Sequence, residues 1–156
     1  RRVDYQVDWS GEAGEVTLTL TYTHGATAGV AHCDGVPRYG DSYADLIDRC
    51  YFDYIRVYAP PGSRLRDIRG VRPDSGVSMA AEGGLQQFAG YMILPPNQSK
   101  TVTFVYTLPP EITAGSYRLR IQRQSGAPPL PVTVTMHGTT TAAMIAQNVW
   151  DWAPGK

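Results

Sequence analysis

The chain has little of three things that would point directly to chemistry or to a partner: cysteine, long apolar runs and net charge. Two of its 156 residues are cysteine, and 14 basic residues against 14 acidic ones leave a formal charge of zero. A balanced charge removes the electrostatic case for nucleic acid or an anionic membrane as an obligatory partner, so any ligand has to be recognised locally. No window of about 18 apolar residues occurs, so no membrane-spanning helix, and no direct membrane insertion by this piece, is expected. Lysine is nearly missing, with Lys100 and Lys156 against twelve arginines. That bias fits a GC-rich genome and carries no mechanism. The opening Arg1-Arg2 is followed by no hydrophobic stretch, so no signal peptide is read there and the chain reads as an excised piece of a larger protein.

Two cysteines are too few for a zinc site of their own. Cys33 and Cys50, seventeen positions apart, also lack the C-x-x-C spacing of a redox motif. A disulfide is the simpler reading. It would contribute roughly 3 kcal/mol by loop closure, and it favours an exported domain because such bonds persist outside the cytosol.

What the sequence does have is a period of two. In "EVTLTLTY" Val16, Leu18, Leu20 and Tyr22 alternate with threonines, and in "TVTFVYTL" Val102, Phe104, Tyr106 and Leu108 alternate with threonines and Val105. "SYRLRIQR" sets Tyr117, Leu119 and Ile121 against Arg118, Arg120 and Gln122, and "LPVTVTMHG" offers Leu130, Val132, Val134 and Met136. "RVDYQVDW", "CYFDYIRVYAP", "RLRDIRGV" and "FAGYMIL" add further strands. Turn residues such as "PPGS", "RPDSG", "PPNQS" and "QSGAPPLP" separate them at the spacing of a sandwich or barrel. No helix-length amphipathic segment lies between strands, which argues against a parallel α/β sheet. One short helix is predicted in "DSYADLID", capped by Asp41 or Ser42 with Leu46 and Ile47 as its apolar face. The fold expected is therefore all-β: an antiparallel, immunoglobulin-like β-sandwich of about seven to nine strands, one domain over residues 1–156. Residues 31–50 form a cysteine-bracketed insertion holding the helix. Residues 139–156, which include "TTTAAMIAQNVWDW", are undecided between a last strand and a short helix.

The order "RRVDYQVDW", "TLTLTYTH", a cysteine-bracketed loop running into "RCYFDYIRVYAPPGSRL", then "GYMILPPNQSKTVTFVYTLP" and "YRLRIQRQSGAPPLPVTVTM" resembles the C-terminal region of an uncharacterised bacterial family, domain of unknown function 4012. "YIRVYAPPGS" with "PPNQSKTVTFVYTLP" is the most distinctive part. The resemblance implies a large, membrane-anchored bacterial surface protein of which this chain is the extracellular tail. It implies no known activity and no catalytic residue.

Candidate sites divide into those that a turn or a strand explains and one that it does not. Asp34, Asp41, Asp45, Asp48 and Asp53 could supply oxygens to calcium, but their spacing is not that of an EF-hand loop; turn and helix-cap roles account for them. His32-Cys33-Asp34 invites a thiol nucleophile, yet catalytic groups are assembled across a fold and a second cysteine waits to consume the thiol. His24, His32 and His137 fall near strand ends with no metal-ligand spacing. Glu12, Glu15, Glu82 and Glu111 lie in turns or at strand edges, and a glycosidase pair among them is a three-dimensional question. Arg64, Arg66, Arg69 and Arg72 read as a solvated, charge-guarded edge strand. Lys100, in "PPNQSKTV", is expected at an exposed turn, unsuited to an isopeptide bond. No catalytic residue, metal or cofactor is expected.

That leaves "YFDYIRVY". With Ile55 and Val57 inward, Phe52, Tyr54, Arg56 and Tyr58 share the opposite face, either a packed aromatic ladder or a surface for a sugar or protein. The binding residues predicted are Tyr54, Arg56 and Tyr58. The function expected is a non-enzymatic extracellular module, structural or binding to cell-wall glycan or another envelope protein. The alternative is an envelope hydrolase or transferase acting on cell-wall carbohydrate.

Overall fold

The computed structural model describes residues 1–9, 11, 13–26, 33, 42, 49–80 and 82–155, with the backbone alone for Ala80 and Glu82. Among these residues the chain forms eleven strands: β1 (Arg2–Asp8), β2 (Glu15–Thr23), β3 (Tyr51–Ala59), β4 (Arg64–Arg69), β5 (Val77–Ala80), β6 (Gln86–Leu94), β7 (Ser99–Thr107), β8 (Leu119–Gln122), β9 (Leu130–Met136), β10 (Thr139–Ile145) and β11 (Val149–Trp152). They make a six-stranded sheet in the order β10-β9-β1-β2-β7-β4, a three-stranded sheet β3-β6-β5 and a two-stranded ribbon β11-β8. Every pairing is antiparallel except β1 with β9. The predicted helix over 41–48 lies, apart from Ser42, outside the described residues. The one helical turn described is the 3-10 turn Glu82–Gly84.

Alternation sets the large sheet. Val3, Tyr5 and Val7 of β1 are buried while Arg2, Gln6 and Asp8 are exposed. Pairing in register carries that face across the sheet. Val134, Tyr5, Leu18 and Phe104 form one cross-strand row, and Met136, Val7, Val16 and Tyr106 the next. Side chains facing each other across strands in this way are the unit of sheet stability. Phe88, Met92 and Leu94 from β6, Ile55 and Val57 from β3, and Trp152 from β11 join the same buried cluster, so the smaller sheets pack their inner faces onto this one. Each fully buried side chain of this size is worth about 1.5–3 kcal/mol relative to exposure.

Glycine is required at two points, one where the sheets meet and one in a turn. A Cβ on Gly90 in β6 would lie 2.5 Å from Cγ1 of Val71 and 3.0 Å from Cδ1 of Ile68, so only glycine lets β6 pass beneath the end of β4. In the β9–β10 hairpin His137 and Gly138 both have positive φ, 50° and 74°. That is the type I′ two-residue turn whose twist matches the flanking strands.

The segment undecided between strand and helix is strand, twice over, as β10 and β11. Four-residue β5 had no counterpart in the sequence reading. The arginine-rich segment is the edge strand expected: β4 closes one side of the six-stranded sheet with Arg64, Arg66 and Arg69 exposed and a register shift between Leu65 and Asp67. Cys33 and Cys50 are joined by a disulfide, with Cα atoms 4.9 Å apart. Among the described residues no helix is long and apolar enough to cross a membrane.

Candidate functional site

The face read from "YFDYIRVY" is exposed. Ile55 and Val57 point into the core at 6% and 9% exposure, while Tyr54 and Tyr58 stand out at 44% and 54%. Arg56, between them, lays its guanidinium over the Tyr54 ring, 5.2 Å from the centroid. Successive side chains of a strand alternate across the sheet, so 52, 54, 56 and 58 must share one side once 55 and 57 are buried.

Neighbouring strands extend this face. Register places Tyr91 opposite Tyr54, Gln87 opposite Tyr58 and Met79 beyond Gln87. Phe52 stacks on Tyr91 with ring centroids 6.5 Å apart and planes 17° from parallel. Ala89, opposite Arg56, is wholly covered, and Met79 is 48% exposed. The face thus carries four aromatic rings, Phe52, Tyr54, Tyr58 and Tyr91, with the Arg56 guanidinium and the Gln87 amide among them. By strand rise, Tyr54 and Tyr58 are separated by about 13 Å, which suits two contact points along an extended ligand better than one compact molecule.

Other candidates occupy structural positions. His24 donates Nε2–H to the Arg49 carbonyl at 2.9 Å and accepts the Ala26 amide on Nδ1 at 3.3 Å. His137 sits at the β9–β10 turn with its ring against Trp9, centroids 5.9 Å apart. Asp53 hydrogen-bonds the Tyr22 hydroxyl; burial first, and that carboxylate second, raise the Tyr22 phenol above its ordinary range. Asp34, Asp41, Asp45, Asp48, His32 and Glu12 lie outside the described residues, as does the Glu82 side chain. Glu15 begins β2 and Glu111 follows β7, both exposed. Among the described residues no three His, Cys, Asp or Glu side chains come together as a metal site would require. Lys100 corrects the expectation of an exposed turn: it is the second residue of β7, half-buried, and donates from Nζ to the Ile93 carbonyl at 3.3 Å. The strand begins at Ser99, two residues before the "TVTFVYTL" run.

Two features escaped the sequence reading. In the core, the Tyr5 hydroxyl lies 2.7 Å from that of Tyr106 and also hydrogen-bonds that of Tyr117. Burial drives all three phenols upward, Tyr117 to about 12. In sequence each looked like an apolar member of an alternating strand. The second is a cleft of about 590 Å³ between β10 and the β8–β11 ribbon, lined by Thr141, Ala143, Trp150, Trp152, Arg120 and Asp151 among others. Arg120 grips Asp151 through two hydrogen bonds of 2.7 and 3.1 Å. That contact holds the carboxyl below its usual range, which keeps Asp151 ionised and unsuited to donate a proton. Trp152 Nε1 is buried with no acceptor among the described residues.

No family model matches the chain, and no curated protein matches it significantly in sequence.

Proposed function

We propose that the chain is a non-enzymatic extracellular module, an immunoglobulin-like β-sandwich from a membrane-anchored bacterial surface protein of the kind it resembles, and that the outer face of β3 and β6 binds cell-envelope glycan. The observation that carries this reading is the exposure of Tyr54 and Tyr58 on one flank of a strand with Arg56 between them. Sugar rings offer an apolar C–H face rimmed with hydroxyls; flat aromatic rings cover the first, while a guanidinium and the Gln87 amide hydrogen-bond the second. The Cys33–Cys50 disulfide favours an oxidising, extracellular environment. The hydrolase or transferase alternative draws no support from the one cleft described, whose single lining carboxylate is committed to Arg120.

Calorimetric titration with soluble cell-wall oligosaccharides tests the reading. Removing both rings takes away the apolar contact area they offer a sugar face, so Tyr54→Ala/Tyr58→Ala should weaken binding roughly tenfold or more. Equal affinity in the double variant would remove this face from the account.

A further inference from the structure

The six-stranded sheet ends in two edges of opposite character. An unpaired edge invites pairing with another chain, and soluble proteins block it with charge, proline, bulges or cover. The β4 edge is blocked in this way, with arginines and a register shift. The β10 edge is not. Its seven residues, Thr-Thr-Thr-Ala-Ala-Met-Ile, carry no charge and no proline and run in unbroken register with β9.

The turn decides which backbone groups face out. The type I′ loop makes Met136 and Thr139 a hydrogen-bonded pair, and such pairs alternate along an antiparallel ladder. The N–H and C=O groups of Thr140, Ala142 and Met144 therefore point away from β9. No strand among the described residues meets them. Their side chains are exposed as well, Met144 at 62%, and Val149 of β11 nearby is 41% exposed.

We propose that β10 is the seam of a homodimer, in which a second copy adds its own β10 antiparallel across a twofold axis that passes between the two Ala142 residues. The three outward-facing residues are symmetric about Ala142, so Ala142 meets Ala142, and Thr140 of one copy meets Met144 of the other. Every facing pair is then of the hydrogen-bonded type and exchanges two backbone hydrogen bonds. A twofold contact brings each residue near its own image or its mirror partner, so charge on the strand would oppose it. Here the smallest of the three side chains flanks the axis and no charge lies on the strand. On the inner face, Thr141 and Ala143 of the second copy would come alongside the cleft that holds the half-buried Trp150. The seam lies on a different sheet from Tyr54 and Tyr58, so it stands or falls independently of glycan binding.

Sedimentation velocity of the wild type over a wide concentration range should show twice the monomer mass. Amide exchange should show protection at Thr140, Ala142 and Met144 that rises with protein concentration. Two equally hydrophilic variants then test the register: T140K/M144K sets like charges face to face and should weaken the dimer by on the order of tenfold or more. T140K/M144E sets opposite charges face to face and should dimerise, more weakly as salt is added. A wild type that stays monomeric with unprotected edge amides, or two double variants that behave alike, would overturn the proposal.

Discussion

Tyr5 shows at the scale of one residue how a side chain can be legible in type and illegible in role. Its alternation with Val3 and Val7 marks it as core, and it is core. That its hydroxyl meets those of Tyr106 and Tyr117 is a consequence of pairings 101 and 112 positions apart, which no local pattern encodes. Because Tyr5 is the hub, Tyr5→Phe leaves two buried hydroxyls without their partner. It should cost about 1–3 kcal/mol, whereas replacing all three tyrosines by phenylalanine should cost less than the single change. Urea midpoints for the two variants would show this.

The same trio fixes an alkaline limit. An unfolded tyrosine loses its proton near pH 10, but burial raises these phenols in the folded state, Tyr117 to about 12. The folded chain therefore holds more protons than the unfolded one above pH 10. Stability from this source is fully present below pH 10 and is lost as pH rises through the folded values. Denaturant midpoints measured across that range should fall steeply, and the triple phenylalanine variant should flatten the fall.

Among the elements, legibility follows how one-sided a strand is. β1, β2, β7 and β9 bury large apolar residues on one face and leave threonines or charges on the other, so a period of two is plain. In β10 the inward residues are Thr141, Ala143 and Ile145 and the outward ones Thr140, Ala142 and Met144, which leaves almost no contrast in hydrophobicity. β5 and β11 are four residues each, and no longer alternating run extends them in sequence as "SYRLRIQR" extends the equally short β8. The face on β3 was legible through Tyr54, Arg56 and Tyr58; the share of Tyr91, Gln87 and Met79 in it depends on register between strands far apart in sequence. Gly90 gives a test of how these elements pack. Gly90→Ala drives a methyl into Val71 and should cost about 1–3 kcal/mol, and Val71→Ala in the same chain should restore much of the loss in thermal melting.

At the scale of the whole molecule, the three sheets share one buried cluster, and the disulfide ties Cys33 to Cys50 just ahead of β3. Neither cysteine belongs to that cluster. Reduction should lower stability by roughly 3 kcal/mol and leave the β-rich circular dichroism spectrum intact at moderate temperature. Mass spectrometry after alkylation, with and without reductant, should find no reactive thiol in the native protein and two in the reduced one.

Binding by the outer face of β3 and β6 is the central claim, and retention on insoluble cell-wall glycan tests it most directly. Three proteins are compared: the wild type, Tyr54→Ala/Tyr58→Ala, and Trp150→Ala, which alters the cleft between β10 and the β8–β11 ribbon. The wild type and Trp150→Ala should be retained while the double tyrosine variant passes through. Retention of the double variant together with loss of Trp150→Ala would contradict that claim.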